Sequence, residues 1–414
     1  MKAAILSIGD ELLIGQVSNT NATWLGIELT KLGYIISEVR TIGDNFSLAY
    51  DTISLLSKSN DLIIITGGLG PTHDDITKFV ICDLLNKCKL KIFHSQLDFI
   101  KKRLSERGHL INERNENQAL IPENSTGLFN NYGTAAGIKF VLNQASIYSL
   151  PGVPVEMKGI FQDCIINDIK LKNISNNQQT FVAVGIPESI LADYLIACEE
   201  LVNEFVSLAY LPNYSMIRLR VMRKNDSKDS INRYNKIIEV INDKAKEYII
   251  WDFDEKLEVI LGKKLIKKSL TISTVESCTG GLLGSAITSV AGSSEYYIGG
   301  IIAYSNEIKC KELNVPIDIL ENFGAVSKET AEILAYEQRL KFKTDLSISI
   351  TGIAGPAGGS LEKPVGTVYI GISTKFKTFS KLISMGLGRD SVRQKTVITA
   401  LIMLIKEIDL IDLI

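Results

Sequence analysis

Apolar, β-branched runs alternate along the chain with stretches of helical periodicity, and most runs end in glycine, hydroxyl or acidic residues. Ala3–Gly9 reads as a short buried strand, Tyr34–Val39 as a second and Asp61–Thr66 as a third, continuous one. Amphipathic helices are predicted between them. The first continues to about Leu32, with Asn19 or Asn21 as its cap and Gly33 as its stop, and the next covers about Ser47–Lys58. Such alternation predicts a parallel sheet with helices on both faces. Ile138–Leu142 and Ser146–Leu150 then form a hairpin, and Leu150-Pro-Gly-Val-Pro154 turns into a helix reaching about Asp168.

Lys170–Gln179 is polar, asparagine-rich and without period, and reads as a linker. A small unit follows to about Trp251, with strands at Thr180–Val184, Val206–Leu211 and Met216–Met222 and helices at Glu188–Glu199 and Ile231–Lys246. Beyond it the α/β alternation resumes. A helix over Lys256–Lys268 leads to a strand at Leu270–Val275 and a helix from Leu282 to Val290. Strands follow at Tyr297–Tyr304, Leu346–Thr351 and Pro364–Ser373. A last helix begins near Arg389 and keeps Val392, Thr396, Ala400, Leu404 and Ile408 on one stripe. The predicted fold class is α/β: two three-layer α/β domains, residues 1–170 and 253–414, joined by a small α+β domain, 171–252.

Composition narrows the partners. Lys and Arg number 45 and Asp and Glu 47, a net charge of −2, so no global field draws the chain to nucleic acid or a membrane. Its six cysteines form no C-x-x-C pair and it has three histidines, which argues against a zinc cage and for reduced thiols in a cytoplasmic protein. The N-terminus turns acidic at Asp10, too early for a signal-peptide core, and no apolar run reaches transmembrane length. Arg218, Arg220, Arg223 and Lys224 form one basic patch, read as a solvated strand face.

In open α/β sheets ligands bind beyond the carboxyl ends of the strands. In the first half that rule points to Thr66-Gly-Gly-Leu-Gly-Pro-Thr72-His73-Asp74-Asp75. Gly67, Gly68 and Gly70, with Thr72, offer a backbone cradle for an anion, although no Gly-Lys-Ser/Thr follows as in a Walker loop. Asp74 and Asp75 suit a hard cation such as Mg²⁺, and Asp10 and Glu11, from another strand end, can converge on it; Glu156 adds a further acid. The competing reading makes Asp74 and Asp75 caps of the next helix, and His73 is a loop donor.

In the second half the strand ending at Val275 runs through Glu276-Ser277-Cys278-Thr279-Gly280-Gly281 into a helix, a geometry that aims unpaired backbone N–H groups at a ligand. Ser277, Cys278 and Thr279 are three candidate nucleophiles. No histidine lies in this half, which excludes a Ser-His-Asp triad, and leaves lysine as the base; Lys309, after Tyr304, fits a Ser277–Lys309 pair. Cys278 is the rival nucleophile. The loop Thr351-Gly352-Ile-Ala-Gly355 adds an orienting hydroxyl and further N–H groups for an oxyanion. Arg389 and Arg393 oppose the dipole of the helix they open, so binding an external anion is the better motive for them.

Glu276-Ser-Cys-Thr-Gly-Gly281, Tyr304-Ser-Asn-Glu-Ile-Lys309, Thr351-Gly-Ile-Ala-Gly-Pro356 and Lys363-Pro-Val-Gly-Thr-Val368 closely resemble the signature blocks of nicotinamide-mononucleotide amidohydrolases. Gly9-Asp-Glu-Leu-Leu13, Thr66–Thr72 with Asp74-Asp75, and Leu150–Pro154 resemble a molybdopterin-binding-like domain. The whole chain resembles the competence/damage-inducible CinA family. That resemblance implies deamidation of nicotinamide mononucleotide (NMN) to nicotinate mononucleotide and ammonia, in pyridine-nucleotide salvage and without a cofactor. It assigns attack to Ser277, the base to Lys309 and orientation to Tyr304 and Thr351. Substrate binding falls to Thr279, Gly280, Gly281, Gly352 and Gly355, with Arg389 or Arg393 on the phosphate. For the N-terminal domain it implies an ADP-ribose pyrophosphatase using a divalent metal at Asp10, Glu11, Asp74 and Asp75. A homodimer is expected. The alternative is a non-catalytic pterin- or nucleotide-binding module in a protein of competence or the DNA-damage response; the balanced charge speaks against direct binding of nucleic acid.

Overall fold

The apolar run at the start of the chain becomes the strand Lys2–Ile8, paired in parallel with Ile35–Ile42 on one side and Leu62–Thr66 on the other. The computed structural model describes residues 1–72, 75–169, 178–214, 216–251, 255–386 and 388–411, and these fall into two units, Met1–Asn177 and Gln178–Ile414. In the first unit the sheet runs in the order Ile35–Ile42, Lys2–Ile8, Leu62–Thr66, Ala145–Leu150, Gly137–Leu142, Thr126–Leu128. The first four strands are parallel, and Gly137–Leu142 runs antiparallel to both of its neighbours.

Alternation along the first strand divides the core. Ala3 and Ile5 pack with Leu25 and Leu29 of the helix Thr20–Lys31, and with Met157 and Ile160 of the helix Pro154–Ile160. Ala4, Leu6 and Ile8 face Ile53 of Phe46–Leu56 and Val80 of Thr77–Leu84. The result is three layers. Of the two proposed caps Asn19 is the one used: its side chain accepts from the Ala22 N–H, whereas Asn21 donates 2.7 Å to the Gly152 carbonyl and ties the helix to the Pro151–Pro154 turn.

The second unit holds two sheets. An antiparallel one runs Val206–Asn213, Met216–Arg223, Gln178–Val184, Ile249–Trp251, with the helix Lys228–Lys244 on one face. Residues 170–177 of the expected linker lie outside the described residues, and Gln178 and Gln179 belong to the strand. The expected basic patch is divided by the pleat. Ile217, Leu219, Val221 and Arg223 face the Lys228–Lys244 helix, where buried Arg223 bonds Asp226 and lies over Tyr234; Arg218 and Arg220 point to the other face.

The other sheet is ordered Tyr297–Ile302, Ile272–Glu276, Leu346–Gly352, Thr367–Ser373, Thr378–Ser384; the first three strands are parallel and Thr367–Ser373 runs antiparallel to both of its neighbours. Leu257–Lys268 and Arg389–Leu410 cover one face, and Lys328–Phe342 the other. Against that last helix the strand presents hydroxyls: Ser347 and Ser349 donate to the carbonyls of Ala335 and Ala331. The strand expected from Pro364 starts only at Thr367, because Pro364–Gly366 forms a turn whose Gly366 N–H donates to Ile353. The edge strand Thr378–Ser384 was not anticipated; half exposed and mostly polar, it lacks an apolar run.

The predicted stripe of the last helix is confirmed, Val392, Thr396, Ala400, Leu404 and Ile408 all being fully buried. Leu404→Ala therefore leaves a cavity under the five-stranded sheet. It is expected to destabilise the second unit by about 2–5 kcal/mol, read as faster hydrogen exchange of the helix amides.

Candidate functional site

The strand Ile272–Glu276 reaches one residue further than its apolar run, and its last side chain organises the turn into the next helix. Buried Glu276 accepts from the N–H groups of Gly281 (3.1 Å), Leu283 (3.0 Å) and Gly284 (2.8 Å). The N–H groups that open the helix Leu282–Thr288 are thus bound by the protein's own carboxylate rather than offered to a ligand. Gly280 and Gly281, at φ +63° and +95°, permit the fold-back; a Cβ on Gly281 would also meet Ile302 at 3.1 Å. The N–H groups of Cys278 and Thr279 donate to no other residue among the described residues.

Ser277 sits at the base of this turn, 9 % exposed, its N–H donating to the Ile350 carbonyl. The helix Asn306–Leu313, capped by Ser305, brings Lys309 beneath it. Lys309 is 1 % exposed, and its Nζ lies 2.8 Å from the Ala303 carbonyl, 3.2 Å from that of Tyr304 and 3.5 Å from Ser277 Oγ. Burial lowers its pKa from the ordinary lysine value. Its contacts are thus two carbonyls and the Ser277 hydroxyl, with no carboxylate among the described residues. Cys278 is set differently. Its thiol is buried and pushed up to about 11, chiefly by burial, and a Cβ on Gly352 would press on its sulfur at 3.1 Å. A protonated, enclosed thiol is a poor nucleophile.

Two guanidinium groups close the site. Arg389 donates to the Gly355 carbonyl (2.9 Å) and to the hydroxyl of exposed Tyr304 (3.3 Å). Arg393 donates to the Thr279 carbonyl (3.0 Å) and has only a distant carboxylate, Asp390 at 3.7 Å. Its Nε, and the hydroxyl of fully buried Thr279, are buried without a hydrogen-bond partner among the described residues. The buried Thr351 hydroxyl donates 2.7 Å to the Ala325 carbonyl and fastens the turn before Lys328–Phe342.

In the first unit the glycine loop also folds around a carboxylate of its own. Asp75 accepts from the N–H of Gly70 (2.6 Å) and of Thr72 (2.8 Å) and from the Thr72 hydroxyl. Gly67 and Gly68 are required by close approach as much as by any ligand: added Cβ atoms would lie 2.1 Å from the Ile8 carbonyl oxygen and from Thr77 Oγ1. Below the loop lies a cavity of about 390 Å³ lined by Glu11, Asp44, Asp75 and Glu156 together with Gly67, Gly68 and Gly70. Burial raises the pKa of Glu156, which accepts 2.6 Å from Asn130. Asp10 does not line it; its carboxylate accepts from the Asp44 N–H while its own N–H donates to Asp44. Asp74 and His73 lie outside the described residues. Among the described residues no three acidic, His or Cys side chains form a metal-ligand group; Glu11 and Asp75 line the cavity, and Asp75 is engaged by its loop.

Residues 254–408 match the family model of the CinA C-terminal domain, and residues 4–171 that of a probable molybdopterin binding domain. A CinA-like protein of Flavobacterium psychrophilum is 39 % identical over 99 % of both chains, and one of Cytophaga hutchinsonii 37 % identical over 97 % of this chain and 96 % of its own. This chain belongs to the CinA family. Among solved structures, a competence/damage-inducible protein of Agrobacterium tumefaciens is 38 % identical, covers 37 % of this chain and 96 % of its own, and has a TM-score of 0.35. No helix among the described residues is long and apolar enough to cross a membrane.

In this CinA-family chain Ser277, Lys309, Tyr304, Arg389 and Arg393 are brought together, Thr351 bonds the Ala325 carbonyl, and Asp10 does not line the acidic cavity. Glu276 and Asp44 carry more of the geometry than their sequence context suggested. Asp44 follows Gly43 at the end of a sheet strand, so the strand-end rule points to it too. Glu276 had a signal as well: an acid on a strand's last residue with a helix opening six residues on. Glu276→Ala strands three N–H groups and is expected to cost more than about 2 kcal/mol; Glu276→Gln, which keeps one acceptor, should cost less. Urea denaturation of the two variants checks the order.

Proposed function

We propose that the second unit is an amidohydrolase that deamidates nicotinamide mononucleotide, giving nicotinate mononucleotide and ammonia. The observation that carries the reading is Lys309 Nζ, buried without a carboxylate partner among the described residues and 3.5 Å from Ser277 Oγ. The sequence blocks that resemble NMN amidohydrolases support the choice of substrate, and family membership supports the assignment in general.

In this reading neutral Lys309 takes the hydroxyl proton as Ser277 Oγ bonds to the carboxamide carbon. The oxyanion formed there is met by the N–H groups of Cys278 and Thr279, the donors that Glu276 leaves over. Lys309 returns the proton to the departing nitrogen, the carbon–nitrogen bond breaks and ammonia leaves. Water then attacks the acyl-Ser277 ester, with Lys309 again the base, and releases the acid. Arg389 and Arg393 receive the 5′-phosphate, Arg393 through its unsatisfied Nε–H, and Tyr304 couples Arg389 to the base through its own carbonyl.

The first unit is read as a binding pocket for a pterin- or nucleotide-type ligand. The catalytic form of that reading is the divalent-metal-dependent ADP-ribose pyrophosphatase that the family resemblance implies, with Glu11 and Asp75 lining the acidic cavity.

Ammonia release from NMN tests the main reading. Wild type should turn over without added metal, and Ser277→Ala and Lys309→Ala should each lose about a thousandfold or more in kcat. Turnover that survives Ser277→Ala and is lost in Thr279→Ala or Cys278→Ala would transfer the nucleophile; none in the wild type would end the reading. The pH profile is a separate check. A base works only when neutral, and burial holds Lys309 below the ordinary lysine value, so kcat should rise with pH and level off below that value. That limb should vanish in whatever residual rate Lys309→Gln retains.

A further inference from the structure

The helix Thr77–Leu84 and the turn after it bring together two cysteines that neither proposed site uses. Past the helix the chain runs through Asn86 and Lys87, at φ +63° and +56°, both in the left-handed region. This turn returns the backbone so that the Cys88 N–H donates 3.1 Å to the Cys82 carbonyl, one of the acceptors a helix leaves open at its end. The side chains meet as well, and the two thiols are in hydrogen-bond contact. Six residues apart, they form no C-x-x-C motif, so only the turn reveals the pair.

The two thiols are unequal. Cys82 is buried, whereas Cys88 is half-buried and flanked by the exposed Lys87 and Lys89. Burial, helped by the Cys88 thiol and by Asp83 and Glu123, holds the Cys82 thiol up at about 12, so it stays protonated at neutral pH. Attack therefore begins at Cys88, which solvent reaches and where two ammonium groups favour an anionic partner. Cys82 is placed to resolve what forms there. The other end of the same helix is tied to the glycine loop of the acidic cavity. The Thr77 N–H donates 3.1 Å to the Gly68 carbonyl, and its hydroxyl 3.0 Å to the Gly67 carbonyl.

We propose that Cys82 and Cys88 form a redox-sensitive dithiol, which an anionic small-molecule disulfide such as oxidised glutathione converts into a cross-link. The Cys88 thiolate attacks one sulfur of the small disulfide, the other sulfur leaves as a thiolate, and a mixed disulfide forms. The Cys82 thiol then gives its proton to solvent and attacks the Cys88 sulfur, releasing the second small thiolate. Two protein thiols are oxidised and one small disulfide is reduced to two thiols. The cross-link ties the end of Thr77–Leu84 to the turn that follows, and so fixes a helix whose first residue already holds the glycine loop. In a reducing compartment such a bond is transient and reports a shift in the thiol–disulfide balance. The inference is independent of the deamidase reading of the second unit.

The test is peptide mapping of the full chain after reduction, removal of the reductant and exposure to oxidised glutathione. Trypsin cuts after Lys78, Lys87 and Lys89, so the cross-link appears as residues 79–87 joined to residues 88–89. The joined species should be lighter by two hydrogens than the two reduced peptides together, and dithiothreitol should separate it. Cys82→Ser should stop the reaction at a stable glutathione adduct on Cys88, and Cys88→Ser should leave Cys82 unmodified. Serine at half-buried Cys88 keeps the backbone of the turn, so that variant should fold. On oxidation of the wild type, hydrogen exchange at the amides of Thr77–Leu84 should slow by about threefold or more. No reaction at either cysteine, a stable glutathione adduct on wild-type Cys88, Cys82 modified as fast in Cys88→Ser, or a cross-link formed only in urea would each overturn the proposal. Exchange unchanged by oxidation would overturn the tether.

Discussion

The carboxylate of Glu276 receives the N–H groups of Gly281, Leu283 and Gly284, and the second unit's site hangs on that one contact. A strand that turns directly into a helix leaves donors unpaired at the junction. Here the last strand residue supplies the acceptor, so the turn Ser277–Thr279 is held between a sheet and a capped helix. Arg393 holds the same turn from the other side through the Thr279 carbonyl. The groups that bond no other residue among the described residues are informative: the N–H groups of Cys278 and Thr279, the Thr279 hydroxyl and Arg393 Nε.

Asp75 plays the same part in the first unit, accepting from Gly70 and Thr72. In both units a glycine-rich loop that looks like an anion cradle already contains an anion from the chain itself. Recognition then passes from the loops to the side chains around them. The second unit gathers guanidinium groups, and the first gathers Glu11, Asp44 and Glu156 around the cavity at its loop.

Lys309 shows how a stable fold tolerates an unfavourable group. An amine this buried without a counter-ion costs free energy when charged, and the structure answers with two carbonyls rather than a carboxylate. A carboxylate would have stabilised the ammonium and raised its pKa; carbonyls satisfy the N–H groups and leave burial to dominate. The same arrangement that weakens the core favours the uncharged amine beside Ser277.

Much of this was written in the order of residues. Apolar runs and their glycine or hydroxyl ends are local, so strands, helices and strand-end loops could be read from period and composition, down to the buried stripe of the last helix. The absence of histidine in the second half left lysine as the candidate base, and Ser277 and Lys309 do meet. The tertiary structure decided where polar groups find their partners, because those partners are distant in sequence. Thr351 bonds Ala325, Asp10 pairs with Asp44, and the arginines of one strand part to opposite faces of a sheet. It decided too that the glycine loops close on internal carboxylates. Period reveals which face a residue takes; which acceptor its hydrogen finds depends on how the chain returns.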